Sequence, residues 1–268
     1  MHITKMHGLG NDFIVIEGQA ADPAGLARDL CRRRLAVGAD GLLLVEPSEI
    51  ADVKMRIINS DGSEAEMCGN GVRCFARYVY DKGIVKTPDM AIETLAGVVK
   101  PQLIVENGEV AAVRVDMGIP SFAGGDIPVL ADDPLDFEVC GLRAASVLCG
   151  VPHTLVLVED LEGADIDGLG PRIEKDPLFP RGTNVNFVQL VDGHTAHMRT
   201  WERGAGRTLA CGTGATGCAA VLFKKGLAAN EIDMHVQPGA LHIELAPDGR
   251  AFMTGAAEYV FEGDTKGK

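Results

Sequence analysis

The chain carries one short motif twice, and each copy begins with a cysteine. Cys68 opens Cys-Gly-Asn-Gly, and Cys211 opens Cys-Gly-Thr-Gly, 211 − 68 = 143 residues later. A helix-like stretch follows each motif and ends at Lys-Gly, 15 residues after the cysteine in both copies (83 − 68 and 226 − 211). This spacing predicts two similarly folded halves with one thiol each. It suggests a symmetric two-sided active site, suited to a reaction that needs one acid and one base of the same kind.

The repeat extends on both sides of the cysteines. Met55–Asn59 precedes the first cysteine as Met198–Glu202 precedes the second, and both segments are rich in strand-forming residues. After the helices, Asp89–Ile92 resembles Asp233–Val236. A period this long belongs to a domain and not to a solenoid repeat. The neighbours of the two thiols differ, since asparagine at position 59 corresponds to Glu202.

The repeat also predicts the domain limits. We expect an N-terminal half over residues 1–116 that carries Cys68, and a C-terminal half over 117–256 that carries Cys211. The tail 257–268 is a segment that could return to the first half. Pro120 and two glycines in residues 117–125 are typical of a crossover between halves.

Short strands broken by Gly, Pro and Asp turns accompany a few helices, which favours an α/β fold of the α+β type. The helix signals cover about residues 23–34, 69–81 and 212–224. Asp22 before a proline fits an N-cap followed by proline in the first turn.

Composition limits the classes of function. Hydrophobic residues make up 46% of 268 residues, which argues against disorder, and the apolar runs are too short to cross a bilayer. A net charge of −13 argues against nucleic acid and membrane partners, and we expect a soluble cytoplasmic protein. Seven cysteines without a Cys-x-x-Cys pair argue against a disulfide framework and a metal site. Five of them are expected to pack as small hydrophobic residues: Cys31, Cys74, Cys140, Cys149 and Cys218.

A cysteine at a helix start has a specific chemistry. Unpaired backbone N–H groups and the helix dipole stabilise its thiolate, so that it can act as a base. The glycines that follow let backbone amides approach a bound carboxylate closely. An α-carbon held between two such sulfurs could lose a proton on one face and regain it on the other. Such a racemase needs no cofactor if the amides stabilise the enediolate.

Three other interpretations compete with this one. Gly212–Gly217 formally matches the dinucleotide fingerprint GxGxxG, but a polar loop separates it from the preceding strand. Two thiols facing one cavity could form a redox pair. Both cysteines could also be purely structural.

The motifs closely resemble those of the diaminopimelate epimerase family of PLP-independent amino-acid racemases. The resemblance rests on three segments: Lys5–Phe13, Asn59–Cys74 and Glu202–Gly214. It implies two pseudo-symmetric halves, each a β-barrel-like mixed sheet around a central helix, with the active site in the cleft between them. It also implies epimerisation of LL- to meso-diaminopimelate in lysine and peptidoglycan synthesis, by a homodimer without cofactor or metal.

The resemblance assigns roles by position. Cys68 and Cys211 would be the two bases, and His153 would tune one of them. Glu202 would accept hydrogen bonds from the reacting ammonium, and Arg203 would pair with the distal carboxylate. The remaining substrate-binding residues would be Asn11, Asn59, Gly69, Asn70, Asn184, Gly212 and Thr213. The segment Gly10–Phe13 resembles Gly150–His153, while a comparison of the residues beside the two thiols aligns Asn11 and Asp12 with Pro152 and His153.

Two positions depart from the family pattern. Many members have asparagine where this chain has Val151, and glutamine where it has Gly41. Both changes concern recognition of the distal end of the substrate, so another amino acid such as proline, hydroxyproline or histidine is an alternative substrate. A non-catalytic amino-acid-binding module is the alternative from a different class.

Overall fold

The computed structural model describes residues 1–266. The chain forms two compact units, one made of Met1–Val115 with the chain from Gly255 onward, and the other of Asp116–Thr254. The last two residues of the tail expected over 257–268 lie outside the described residues. The units are defined by spatial contact and the predicted halves by sequence repetition, so the domain limits drawn from the repeat stay a prediction. Within residues 1–266, no helix is long and apolar enough to cross a membrane.

The elements are given in chain order. The first part of the chain contains β1 (His2–Gly8), β2 (Asn11–Glu17), α1 (Pro23–Leu30), β3 (Gly41–Glu46), β4 (Val53–Asn59), β5 (Glu64–Ala65), α2 (Gly69–Asp81), β6 (Ile92–Thr94), β7 (Gly97–Val99), β8 (Gln102–Glu106) and β9 (Glu109–Gly118). The second part contains β10 (Phe137–Val139), β11 (Leu142–Cys149), β12 (Val151–Leu157), α3 (Ile166–Glu174), β13 (Asn184–Asp192), β14 (Thr195–Glu202), β15 (Gly206–Thr208), α4 (Gly212–Lys224), β16 (Glu231–Val236), β17 (Gly239–Leu245), β18 (Ala251–Gly255) and β19 (Glu258–Asp264).

The two units repeat one strand topology. In the first, the order is β19-β1-β2-β3-β4-β6-β7, with β5 paired to β4. In the second, the order β10-β11-β12-β13-β14-β16-β17-β18 has β15 paired to β14. The pairs β2/β3 and β4/β6 are parallel, and so are β12/β13 and β14/β16. The predicted fold class, two pseudo-symmetric halves of mixed α+β structure, is confirmed.

The strand registers also repeat, with the offset of the cysteines. Leu43 lies opposite Ile57 in β3/β4, and Asn186 lies opposite Thr200 in β13/β14. Both members of the second pair stand 143 residues after those of the first. Corresponding side chains of the two units can therefore be compared one by one.

The cysteine helices α2 and α4 have the predicted bounds. Both have 13 residues, and their cysteine N-caps have extended backbone. Each ends at a lysine followed by a glycine in the left-handed region, at φ 70° for Gly83 and 69° for Gly226. The sheet strands β1, β2 and β3 pack on α2, and β11, β12 and β13 pack on α4. Most residues of both helices are buried, so each cysteine is fixed by a helix that belongs to a unit's core.

Two expectations about other segments need correction, and one helix is additional to those predicted. The helix expected over 23–34 begins at the Asp22 N-cap as predicted but ends at Leu30, because Arg34 takes a left-handed φ of 69° and the chain turns back. Helix α3 was not placed from the sequence. The crossover expected over 117–125 begins inside a strand, because β9 continues to Gly118.

Candidate active site

Cys68 caps helix α2 with its own sulfur. Its backbone is extended, at φ −147° and ψ 113°, and the Gly71 N–H donates to Sγ at 3.5 Å. The sulfur therefore lies at the positive end of the helix dipole, beside backbone N–H groups that no helical carbonyl uses. The following residues Gly69 and Asn70 are buried in the first turn.

An asparagine pair contacts this sulfur. Cys68 Sγ lies 3.7 Å from Asn11 Oδ1, which also accepts from Asn70 Nδ2 at 3.2 Å. The Asn11 Nδ2 donates to Asp40 Oδ2 at 2.7 Å. Because a carboxylate can only accept, Asp40 fixes the orientation of the Asn11 amide and leaves its oxygen facing the thiol.

Charged groups support that asparagine. Lys5 Nζ and Arg33 Nη2 lie 2.7 Å and 2.6 Å from the carboxylate of Asp12, and Arg33 also bonds Asp40 at 2.8 Å. Burial alone would raise the pKa of Asp12, but hydrogen bonds from Arg33 and Lys5 outweigh it and the pKa is lowered. Lys5 is itself buried, and its ammonium also donates to the Gly38 carbonyl.

Cys211 is more deeply buried, with 6% of its surface exposed. It makes no side-chain cap hydrogen bond to its helix, and its sulfur lies 3.5 Å from Thr213 Oγ1 instead. Burial raises the pKa of the Cys211 thiol well above its usual value, and the charge of Glu202 raises it further. The hydrogen bond with Thr213 acts in the opposite direction. Burial and Glu202 thus both favour the thiol form of Cys211.

A buried polar chain leads away from Thr213. Its hydroxyl lies 3.0 Å from His153 Nε2, and His153 Nδ1 lies 3.3 Å from Asn186 Nδ2. Asn186 Oδ1 accepts from Thr200 Oγ1 at 3.1 Å, and Asn186 Nδ2 also reaches the Thr154 carbonyl at 3.4 Å. Complete burial lowers the pKa of His153 to about 3, with Arg203 contributing, so the imidazole is neutral near pH 7.

Glu202 and Arg203 follow directly at the end of β14. Asn184 Oδ1 accepts from the Arg203 backbone N–H at 2.9 Å, and Asn184 Nδ2 donates to the Pro152 carbonyl at 2.9 Å. Both polar ends of Asn184 therefore hold backbone in place. The Arg203 guanidinium donates to the Arg181 carbonyl at 2.8 Å through one nitrogen.

The strand registers correct the alignment of the first strands. His153 lies opposite Asn184, as Phe13 lies opposite Gly41. His153 therefore takes the place of Phe13, and Asn11 corresponds to Val151. The alignment of Asn11 and Asp12 with Pro152 and His153 is therefore wrong by one residue, whereas the resemblance of Gly10–Phe13 to Gly150–His153 has the register of the strands.

The structure also gives the surroundings of Asn59 and of the two positions that depart from the family pattern. Asn59 is the partly buried last residue of β4, and its side-chain amide donates to Ser63 Oγ at 2.9 Å. Val151 is 40% exposed at the start of β12. A β-carbon at Gly41 would lie only 2.8 Å from the Ile58 carbonyl oxygen, so a larger residue there would need a shift of β4.

Asn186, Asp40 and Arg73 were missed from the sequence. Asn186 is a polar residue in an otherwise apolar strand segment, two positions after Asn184 and hence on the same face of the strand, which is a usable signal. Arg73 is fully buried in α2 and donates to the Ala256 carbonyl at 3.1 Å. Burial lowers its pKa, while the nearby sulfurs of Cys74 and Cys68 act in the opposite direction.

None of the seven cysteines, which all lie within the described residues, forms a disulfide. Cys31, Cys74, Cys149 and Cys218 are buried as expected, whereas Cys140 is only partly buried. In residues 1–266 there is no group of three or more His, Cys, Asp or Glu side chains placed to hold a metal ion.

Comparisons with known structures agree with the fold. The chain aligns with a Bacillus anthracis phenazine biosynthesis protein of the PhzF family at a TM-score of 0.73 and 17% identity, over 99% of both chains. A probable proline racemase from Agrobacterium radiobacter gives a TM-score of 0.72 at 19% identity, over 99% of this chain and 92% of that one.

Comparisons with known sequences are more specific. The chain is 51% identical to a diaminopimelate epimerase of Caldanaerobacter subterraneus over 98% of this chain and 99% of that protein. It is 49% identical to one from Moorella thermoacetica, with 98% and 99% covered. The profile of the family described as diaminopimelate epimerase matches residues 3–123 and 145–260. The chain therefore belongs to the diaminopimelate epimerase family.

Proposed function

We propose that this protein is an isomerase that converts LL-2,6-diaminopimelate to meso-diaminopimelate without a cofactor, with Cys68 and Cys211 as its two bases. Family membership over nearly the whole chain supports the reaction. One observation carries the mechanism: each cysteine is the N-cap of a buried helix that begins with glycine. Each sulfur thus has unpaired backbone N–H groups beside it, where a carboxylate can bind.

The reaction is a proton transfer with inversion. One cysteine, as thiolate, removes the α-proton, and the electron pair of the C–H bond moves into the carboxylate to give an enediolate. The amides of Gly69, Asn70, Gly212 and Thr213 would stabilise the negative charge that develops on its oxygens. The other cysteine, as thiol, then donates its proton to the opposite face of the α-carbon. The sulfurs exchange protonation states, and no oxidant or reductant is consumed.

Glu202 would couple substrate binding to this chemistry. Its charge raises the pKa of Cys211 in the unliganded protein. When the reacting ammonium of the substrate pairs with the carboxylate, that charge is neutralised and the Cys211 thiol becomes a stronger acid. The substrate would thereby prepare the proton donor that its own turnover needs.

The other residues would hold the substrate. Asn184 fixes the backbone of Arg203, whose guanidinium uses one nitrogen on Arg181 and keeps donors for a distal carboxylate. Asn11 faces the first thiol, and Asn59 would contribute from the end of β4. His153 would act on Cys211 through Thr213.

The test is α-proton exchange. Purified protein, free of pyridoxal phosphate and in reducing buffer, should incorporate deuterium from the solvent into diaminopimelate and interconvert the two isomers. Cys68→Ala and Cys211→Ala should each stop epimerisation, whereas Cys140→Ser, which changes a cysteine at the turn after β10, should retain it. Full turnover by either alanine variant would refute the two-base mechanism. Folded protein that exchanges no α-proton would refute the function.

We also propose the setting of the enzyme. It would act in the cytoplasm as a homodimer, in lysine and peptidoglycan-precursor synthesis, on a small-molecule substrate and without nucleic acid or membrane partners. The net charge of −13 supports the absence of polyanionic partners. Light scattering after size exclusion tests the dimer.

A further inference from the structure

The two units differ most at three corresponding positions behind the cysteine helices. In the first unit these positions hold Phe13, Leu43 and Ile57, and in the second they hold His153, Asn186 and Thr200. The correspondence follows from the strand registers, since Leu43 faces Ile57 as Asn186 faces Thr200.

The packing on the helices shows the same correspondence. A β-carbon added at Gly71 would meet Leu43 Cδ2 at 3.3 Å and Phe13 Cζ at 3.6 Å. A β-carbon added at Gly214 would meet Asn186 Oδ1 at 2.6 Å. The fold therefore accepts three apolar side chains at this place. The three polar side chains of the second unit, which are all buried, need an explanation other than the fold.

The orientation of the Asn186 amide is determined by its neighbours. The Thr154 carbonyl can only accept, so the Asn186 nitrogen must face it, and the oxygen then accepts from Thr200. The same nitrogen lies 3.3 Å from His153 Nδ1 and has a second N–H to donate. A neutral imidazole that accepts at Nδ1 carries its proton on Nε2.

The direction of the remaining hydrogen bonds follows. His153 Nε2–H donates to Thr213 Oγ1 at 3.0 Å, so the proton of that hydroxyl is free to point at Cys211 Sγ, 3.5 Å away. Burial lowers the pKa of His153 to about 3, which keeps the imidazole neutral and makes its tautomer matter.

We propose that Asn186 is a positioning residue, which holds His153 in the Nε2–H tautomer so that the Thr213 hydroxyl donates its hydrogen bond to the Cys211 sulfur. This inference rests on the proposed function, in which Cys211 gives up its proton, because the hydrogen bond from Thr213 stabilises the thiolate that remains. In the unit of Cys68, the positions that correspond to His153, Asn186 and Thr200 are apolar: Phe13, Leu43 and Ile57.

Other titratable groups act on the same side chains and are left unchanged by the test. Glu202 and Cys218 interact electrostatically with Cys211, and Arg203 does so with His153. The variants below remove none of these charges.

The experiment is an NMR titration of the full-length protein without ligand, labelled with 15N in histidine and 13Cβ in cysteine. Asn186→Asp places an acceptor opposite His153 Nδ1, so His153 should change to the Nδ1–H tautomer above neutral pH. Nε2 would then accept the Thr213 proton and withdraw it from the sulfur. The midpoint of the Cys211 Cβ titration should rise by about one pH unit, a tenfold loss of acidity. Cys68 Cβ is the internal control and should not move.

A double-variant cycle separates this role from a purely structural or electrostatic one. Thr213→Val should raise the Cys211 midpoint, and Thr213→Ser should restore it. Because Asn186 acts through Thr213, adding Asn186→Asp to Thr213→Val should give no further shift. Asn186→Leu, which copies Leu43, tests the loss of the amide without a new charge and should give a smaller shift in the same direction.

Three results would overturn the proposal. They are an unchanged His153 tautomer in Asn186→Asp, an unchanged Cys211 midpoint in Thr213→Val, and additive shifts in the double variant. The measurement on Thr213→Val decides the matter even if the Asn186→Asp protein does not fold. The titration uses no substrate, so a protein that shows these shifts but exchanges no α-proton would refute the proposed function and leave this inference standing.

Discussion

Around Cys68 the asparagine that faces the sulfur is supported by charged side chains, of which only Lys5 is buried, whereas a largely buried chain of uncharged side chains reaches Cys211. Lys5, Asp12, Arg33 and Asp40 hold the asparagine that faces Cys68, and the Arg33 side chain is 58% exposed. A chain of uncharged side chains reaches Cys211: Thr200, Asn186, His153 and Thr213. Glu202 is the charged group beside that second sulfur.

The difference teaches that a duplicated backbone does not duplicate an acid–base environment. The helices, their N-caps and their glycine starts agree in both units, and these features bring a thiol to a helix dipole. The side chains behind them decide how readily each thiol gives up its proton. An enzyme that must accept one stereocentre in either hand can therefore keep two matched sulfurs with unmatched neighbours.

The largest difference in kcat/KM between variants of the two units is expected at the corresponding positions 202 and 59. Glu202→Gln removes both the partner of the substrate ammonium and the charge beside Cys211, and kcat/KM for diaminopimelate should fall by about 10²–10³. The corresponding variant Asn59→Ala should lower kcat/KM by about tenfold or less, because the Asn59 amide carries no charge and already donates to Ser63 Oγ. Equal losses in the two variants would show that Glu202 contributes no more to turnover than Asn59 does.

Removing one member of the ion-pair network of the first unit should lower the free energy of unfolding more than breaking an ion pair at the surface. Asp12→Asn leaves the buried ammonium of Lys5 without its carboxylate, and the free energy of unfolding should fall by about 3 kcal/mol in urea titrations. Asp264→Asn, at a surface pair with His2 whose side chains are 79% and 57% exposed, is the control and should change it little. A neutral result for Asp12→Asn would mean that Lys5 finds another partner.

The neutral chain of the second unit should make stability depend on pH. The pKa of His153 is about 3 when folded against a model value of 6.5, so the unfolded chain binds the extra proton between these values. Stability from this residue is therefore present above about pH 6.5 and is lost as pH falls, by about 1.4 kcal/mol per unit. His153→Gln should flatten the decline measured between about pH 7 and 5. His2→Gln, at an exposed histidine, should leave the decline as it is.

The smallest effect is expected where the units differ at a surface position. Val151 corresponds to Asn11, and it is 40% exposed. Water can replace an amide there, so Val151→Asn should change KM for diaminopimelate by less than about threefold, with kcat unchanged. A larger gain in affinity would show that this position limits recognition of the substrate.

The sequence predicted the features that repeat and missed those that depend on register. Helices α2 and α4 were placed correctly because a glycine start and a Lys-Gly end mark them locally. Helix α3 was missed because Gly168, Gly170 and Pro171 argue against a helix. The structure explains Gly170, since a β-carbon there would lie 2.6 Å from Trp201 Cγ.

The residues around the thiols also fall into two groups, those within a contiguous motif and those brought together by strand register. Both cysteines and the residues next to them were found because each motif is contiguous. Asn186 was not, because its part in the site depends on which residues of β12 and β14 lie beside it. The sequence offers two alignments of β2 with β12 that differ by one residue, and only the strand registers decide that Phe13 corresponds to His153.

Trp201 has a further consequence. It is the only tryptophan of the chain, it directly precedes Glu202, and its indole N–H donates to Glu174 Oε2 at 2.7 Å. The other oxygen of Glu174 accepts from the Gly204 N–H at 3.1 Å, so the indole and the segment that carries Glu202 and Arg203 share one anchor. The emission of this single fluorophore should therefore act as a built-in optical reporter of ligand arrival, readable in stopped flow without any label.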